Sequence, residues 1–238
     1  MEFDIVTTFP GMLEGPFSHS IVRRAQDRGL VAVRVHDLRD YASDRHHKVD
    51  DVPYGGGGGM VLMPGPIFAA VESIKGRYPS ESSRTILLCP QGVRYDQEEA
   101  KRLVSYSRLI LICGRYEGVD ERVRESLADE EISIGDYVLT GGEIPAMVVV
   151  DSLTRLLPGA LGDEDAARND SFYAGRLDHP HYTRPRDFRG LKVPEILRSG
   201  HHEEIAAWRE AQALEATARK RPDLLTGAGR KPGADRDH

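Results

Sequence analysis

The chain has little of what staples or anchors a protein from outside its own core. Only two of its 238 residues are cysteine. Cys89 and Cys113 end similar apolar runs, TILLCP and LILICG, with no CxxC spacing and no His in ligand register. Nothing there suggests a disulfide framework or a thiolate metal site, and both are expected to be small buried hydrophobes. No apolar run approaches the ~20 residues that a bilayer span requires. The opening MEFDIVTTFP lacks a basic stretch followed by an apolar one, so no signal peptide is expected and the cytoplasm is the expected compartment.

What is present suits a globular protein with a core of its own. Hydrophobic residues make up 39% and charged residues 29%, ordinary proportions that require no metal or disulfide support. Size scaling predicts that about 72% of the unfolded chain's surface is buried on folding. The net charge of −6 argues against a polyanionic partner, but its distribution does not. Residues 1–175 carry 19 Lys and Arg against 28 Asp and Glu, whereas residues 176–238 carry 13 against 10 and hold five of the nine His. An acidic body with a basic, His-rich end hints at nucleic acid.

Up to residue 157, strand-like and helix-like stretches alternate. FDIVTTF and VAVRVHDL read as strands around a helical IVRRAQDRG. GPIFAAVESI reads as a helix, followed by TILLCP, a helical DQEEAKRLVSYS, LILICG, a helical VDERVRESLA and a strand ISIGDYVLT. Short apolar runs separated by helices predict a parallel sheet buried on both faces, an α/β fold. IPAMVVVDSLTRLLPG is apolar nearly all round, which predicts a buried or interface helix. Composition changes at Gly159. Residues 162–175 are polar and aperiodic and read as a linker. HHEEIAAWREAQALEATARKR reads as one helix stopped by Pro222, and the tail from about residue 227 is expected to be disordered.

Three loops are candidates for chemistry. The five glycines of residues 55–59 fit neither GxxxxGK[ST] nor GxGxxG; close approach of a ligand to backbone and a plain flexible loop are equally good readings. IGDYVLTGGE, residues 134–143, places a Gly-Gly turn at the start of a buried helix; by itself it reads first as a plain tight turn, and second as a place where free N–H groups can meet a ligand. In CGRYEGVDER, Glu117 faces either solvent or a cleft at a strand's C-terminal end. Arg155 lies four residues after Asp151, so a structural ion pair is an alternative to a catalytic role. The pairs His46/His47 and His201/His202, and His179-x-His181, lack a third ligand at recognised spacing, so no zinc site is expected. Trp208 with Ile205 reads as core before base-stacking platform, and Arg184, Arg186, Arg189, Lys192 and Arg198 read equally as phosphate contacts or solvated loop.

Taken in order, PYGGGGGMVLMPGPIF, LCPQG, CGRYEGVDERV, SIGDYVLTGGEIPAMVVVD, RLLPG, NDSF, HPHYTRP, VPEILRSGHHEEI and the Trp-containing helix resemble the bacterial tRNA (guanine-37-N1)-methyltransferases of the SPOUT superfamily. The resemblance covers about residues 1–226. One departure is Asn169, where an acidic residue would be expected before Asp170.

The resemblance implies a domain over residues 1–160 whose parallel sheet ends in a trefoil knot that binds S-adenosylmethionine. A flexible linker over 161–175 and a small, mainly helical, tRNA-binding domain over 176–238 would follow. Cofactor contacts would be Pro90, Gly114, Tyr116, Glu117, Ile134, Gly135, Asp136, Tyr137, Val138, Leu139, Gly141 and Gly142, with Glu117 also the candidate ligand for Mg2+. Asp170 would be the general base for guanine N1, supplied by the partner of a homodimer, and Arg155 would stabilise charge on guanine O6. Candidate tRNA contacts are Gly57, Gly58, Gly59, Arg184, His201 and His202. Two other activities stay open: another SPOUT-type RNA methyltransferase, for example one acting on a ribose 2′-oxygen, and a non-catalytic RNA-binding protein.

Overall fold

A computed structural model describes residues 1–79, 82–162 and 166–226. The expected disordered tail from residue 227, and positions 163–165 of the expected linker, lie outside the described residues. The chain divides into two compact units, Met1–Gly162 and Asp163–His238.

The first unit opens with β1 (Glu2–Thr7), α1 (Gly11–Phe17), α2 (Ser20–Asp27) and β2 (Ala32–Asp37). A 3-10 turn, Leu38–Tyr41, leads to the two-residue strands β3 (Asp50–Asp51) and β4 (Val61–Leu62), and then to α3 (Pro64–Arg77). The unit continues with β5 (Ser83–Arg94), α4 (Gln97–Leu103), β6 (Arg108–Cys113), α5 (Glu121–Ser126), β7 (Glu130–Ser133) and α6 (Glu143–Thr154). The main sheet runs β2-β1-β6-β5-β7 with every pairing parallel. The mixed α/β architecture with a central parallel sheet therefore agrees with the sequence pattern.

Strand alternation explains why the runs look continuously apolar. Leu109, Leu111 and Cys113 of β6 point to the face covered by α1, α2, α4 and α6, whereas Ile110 and Ile112 point to the face covered by α3 and α5. Each fully buried aliphatic side chain there contributes roughly 1.5–3 kcal/mol. Side-chain caps start two of the covering helices: Asp96 accepts from the Glu98 and Glu99 N–H groups, and Asp120 accepts from that of Arg122. Helix α6 buries Ala146, Val149, Val150 and Leu153 while leaving Ile144 and Val148 partly exposed.

One local expectation needs correction, and two features go beyond the sequence pattern. ISIGDYVLT is a strand only through Ser133; beyond it Gly135 takes a φ of 154°, and the chain leaves the sheet as an irregular loop. TILLCP belongs to a longer β5 whose register shifts between Leu88 and Val93, so 89–92 bulge off the sheet. The helix α1, which has Pro16 inside it, was not anticipated.

The second unit contains α7 (Ala166–Asn169), the hairpin β8 (Asp187–Phe188) and β9 (Leu191–Lys192), a 3-10 turn Glu195–Arg198, α8 (His202–Lys220) and α9 (Pro222–Thr226). Its long helix is held by polar ties: the Leu177 N–H donates to Thr217 Oγ1 at 2.9 Å, and Arg176 pairs with Glu210.

Candidate active site

A bulge loop inside β5, residues 89–92, and the loops that follow β6 and β7 enclose a cleft of about 250 Å³. This is the end of a parallel sheet where helices and loops leave room for a ligand. Leu87, Leu88, Ile132 and Pro145 give it apolar walls. Pro90 comes from the first loop, Gly114, Tyr116 and Glu117 from the second, and Ile134, Gly135, Tyr137, Val138, Leu139, Gly141 and Gly142 from the third. Asp136 lies in the same third loop but is exposed and is not part of the lining.

The second and third loops are fitted to each other at their glycines. The Gly142 N–H donates to the Gly114 carbonyl at 2.9 Å. A Cβ on Gly142 would come within 2.6 Å of Cys113 Cα, so only glycine allows this approach. Residue 141 also forms an isolated antiparallel bridge with Arg115. Tyr116 sits at a φ of 59°, an unusual backbone conformation for a residue with a side chain, held by a Gly118 N–H bond to the Arg115 carbonyl at 2.9 Å. Partial burial and the neighbouring Asp50 carboxylate, to which it is hydrogen-bonded, raise the Tyr116 phenol above its ordinary pKa.

The glycine run leads into this loop. Gly55, Gly56, Gly57 and Gly59 all have positive φ, and a Cβ at residues 55–58 would meet nothing within 4 Å. Beyond the run, the Glu117 N–H donates to the Met60 carbonyl at 3.0 Å, and the Leu62 N–H donates to that of Gly118 at 3.0 Å. The Glu117 side chain lies over Gly59, its Cγ only 2.7 Å from where a Cβ would sit.

Beneath the Gly-Gly turn is a carboxylate that the sequence did not single out. Glu143 is fully buried in the first turn of α6, where the helix's N-terminal N–H groups favour an anion. The Thr7 hydroxyl donates to its Oε1 at 2.7 Å, and Arg115 Nε stands 3.5 Å from Oε2, an ion pair rather than a hydrogen bond. Arg115 also donates to the Thr140 carbonyl at 3.1 Å and lies 4.2 Å over the Phe9 ring. Thr7, Arg115 and Glu143 come from β1, the loop after β6 and the start of α6, so no spacing in the sequence could have joined them.

Neither cysteine is a nucleophile at neutral pH. Burial, helped by a hydrogen bond to Glu131, pushes the Cys89 thiol up to about 11, and complete burial pushes Cys113 well above the usual range.

The remaining expected residues lie elsewhere. Arg155 caps the C-terminal end of α6, its N–H donating to the Asp151 carbonyl at 3.2 Å. Asp170 belongs to the second unit, where it is exposed directly after α7 and its carbonyl accepts from the Tyr173 N–H at 3.3 Å. Arg184, His201 and His202 are also exposed in that unit, with His201 at the N-cap of α8 and 3.3 Å from Glu204. Tyr182 and Trp208 approach each other with centroids 6.5 Å apart. The pair His179-x-His181 does have a third donor: Asp178, the residue just before it, which spacing rules built on His and Cys pass over.

Known proteins give this arrangement a context. The family model described as tRNA (Guanine-1)-methyltransferase TrmD matches residues 1–227. A curated protein of Dictyoglomus turgidum, named tRNA (guanine-N(1)-)-methyltransferase, is 58% identical over 225 residues, covering 94% of this chain and 90% of its own length. Proteins of the same name from Geobacillus kaustophilus and Pelotomaculum thermopropionicum are 57% identical over 225 residues and 55% identical over 229. They cover 94% and 96% of this chain, and 91% of their own length in each case. By the extent of the match and the level of identity, the chain belongs to the tRNA (guanine-1)-methyltransferase TrmD family.

Proposed function

We propose that this protein transfers a methyl group from S-adenosylmethionine to N1 of guanosine 37 in the tRNA anticodon loop, acting as a cytoplasmic homodimer. The observation that carries the reading is the convergence of residues from three separated loops, 89–92, 114–118 and 134–142, on one cleft. That cleft has the right character for the cofactor. Its walls combine apolar side chains such as Leu87, Leu88 and Pro145 with the polar Arg115, Glu117 and Arg124, and Gly142 lets the third loop close onto Cys113. The residues present thus fit S-adenosylmethionine, which when bound supplies a methyl group activated by a sulfonium. The loop 134–142 packs through Gly141 and Gly142 against the loop after β6, and in this reading it belongs to a trefoil knot within residues 1–160.

Guanine N1 carries a proton and is a poor nucleophile until it leaves. In this reading the Asp170 carboxylate, supplied by the partner subunit, takes that proton, and the freed electron pair on N1 attacks the methyl carbon in line. Charge moving onto guanine O6 is stabilised by Arg155. The segment over 161–175 would bring Asp170 into play only when the correct substrate is bound. Residues 176–238 would grip the anticodon stem-loop, with Arg184, His201 and His202 from that domain and Gly57, Gly58 and Gly59 from the first as contacts. Partly exposed Phe9, Met12, Ile144 and Val148 offer the apolar surface a homodimer would cover. Glu117 is not part of any three-membered cluster of metal donors among the described residues, so no step is assigned to Mg2+.

The test is transfer of labelled methyl from S-adenosylmethionine to tRNA transcripts that differ only in guanosine or adenosine at position 37, with the product mapped by mass spectrometry. The reading predicts 1-methylguanosine at position 37 of the first transcript alone. Label on a ribose, or on both transcripts, would favour another RNA methyltransferase activity. No transfer together with no cofactor binding would leave an RNA-binding protein.

A further inference from the structure

Methyl transfer gives no task to the segment Asp178-His179-Pro180-His181, yet it gathers three metal-type donors. Asp178 Oδ2 lies 2.7 Å from His181 Nε2, and Oδ1 lies 3.7 Å from His179 Nε2. One donor atom from each residue falls within 4.8 Å of the other two, and the imidazole centroids are 4.4 Å apart. A tetrahedral ion with bonds of about 2.0–2.1 Å needs its ligands about 3.4 Å from one another. The two Asp–His distances, one to each carboxylate oxygen, fall on either side of that value.

The surroundings favour ligation. His179 Nδ1 lies 3.2 Å from the Pro180 carbonyl, which can accept its ring N–H and orient the ring, while Nε2 faces Asp178. The backbone beneath is fixed independently: the Asp178 N–H donates to Ser171 Oγ at 2.9 Å, and the Leu177 N–H donates to Thr217 Oγ1. Proline between the two histidines removes a further degree of freedom. Asp178 and His179 are each about one-fifth exposed at the side chain, while His181 is open to solvent. The cavity beside them is also lined by Glu215, Arg219 and Lys220. Those two bases disfavour an ion held by charge alone, and point to one whose bonds to imidazole supply the affinity.

We propose that Asp178, His179 and His181 form a binding site for a divalent transition ion of the zinc class, with water completing its coordination. Two imidazoles and one carboxylate suit zinc better than magnesium or calcium, which take oxygen donors. A bound ion would clamp the turn that leads into Tyr182 and Arg184.

The full chain, stripped with a chelator, would be titrated with zinc chloride in a calorimeter, and cobalt(II) uptake would be followed by visible absorption. The expected result is one zinc per chain and cobalt bands of a low-coordinate site. His181→Ala should weaken zinc at least tenfold, and His179→Ala with His181→Ala should abolish it, whereas His46→Ala with His47→Ala should leave it unchanged. Because His181 is exposed, its replacement should keep the zinc-free melting temperature, and zinc should raise that temperature in the wild type only. No uptake at 100 micromolar zinc, or uptake undiminished in the His179/His181 double variant, would overturn the site and leave Asp178 with ion pairs to histidine only.

Discussion

The two units of this chain use their side chains in opposite ways. In Met1–Gly162, both faces of a parallel sheet are covered, and strand residues such as Ile5, Leu111 and Ile112 have almost no exposed surface. In the second unit the buried positions among the described residues are Ala213 and Thr217, while Tyr182, Phe188, Leu191, Leu214 and Leu225 stay substantially exposed. The first unit has a core that stabilises it from within and can hold a cleft in fixed geometry. The second is held by polar ties and presents aromatic and basic side chains outward, as a surface made to be completed by a partner does.

The largest effect should separate chemistry from binding. Asp170→Asn, in the second unit, should slow methyl transfer by about 10²–10⁴-fold, the range for loss of a general base, with cofactor affinity unchanged in calorimetry. A wild-type rate would remove Asp170 from catalysis and, with it, the second unit from the chemical step. Next comes stability. Leu111→Ala leaves a cavity in a closed core and should cost about 2–5 kcal/mol in chemical denaturation. Leu214→Ala, on the exposed side of α8, should cost less than about 1 kcal/mol. Equal losses would mean that the second unit has a core of comparable weight.

The smallest effect is one of pH. Burial raises Cys89 to about 11 from 9.0 and Tyr95 to about 12 from 10.0, both in the first unit. Each holds its proton more tightly folded than unfolded. Their stabilisation is therefore complete below pH 9 and is lost as pH rises through 11 to 12. Denaturation midpoints should fall over that window, less steeply in Cys89→Ala; an identical slope in the variant would detach the effect from Cys89.

How much of this could be read in the sequence depended on whether the cause was local. Alternating runs disclosed the parallel sheet because each strand is buried on both faces and reads as an unbroken apolar segment. The all-round apolarity of residues 144–159 marked α6, whose open flank at Ile144 and Val148 accounts for the excess. The boundary of β7 was misread because IGDYVLT keeps a strand's composition, although Gly135 turns it out of the sheet. The hairpin β8–β9 left no period because each strand has two residues, and neither has a buried face. In the site, the loops that line the cleft were visible as motifs. The Thr7–Arg115–Glu143 group beneath them was not, because its members lie 136 residues apart at the extremes and meet only through the fold. Asp178 was passed over for the opposite reason, since it adjoins the histidines it joins.

Equilibrium binding of S-adenosylmethionine tests most directly whether the cleft lined by the β5 bulge and the loops after β6 and β7 is the methyl donor's site. Calorimetry should find one molecule bound per chain in the wild type. In Gly142→Ala, where the new Cβ presses on Cys113, affinity should fall by at least tenfold, with circular dichroism reporting whether the sheet remains intact. No binding to the wild type, or undiminished binding to a folded Gly142→Ala, would contradict the assignment.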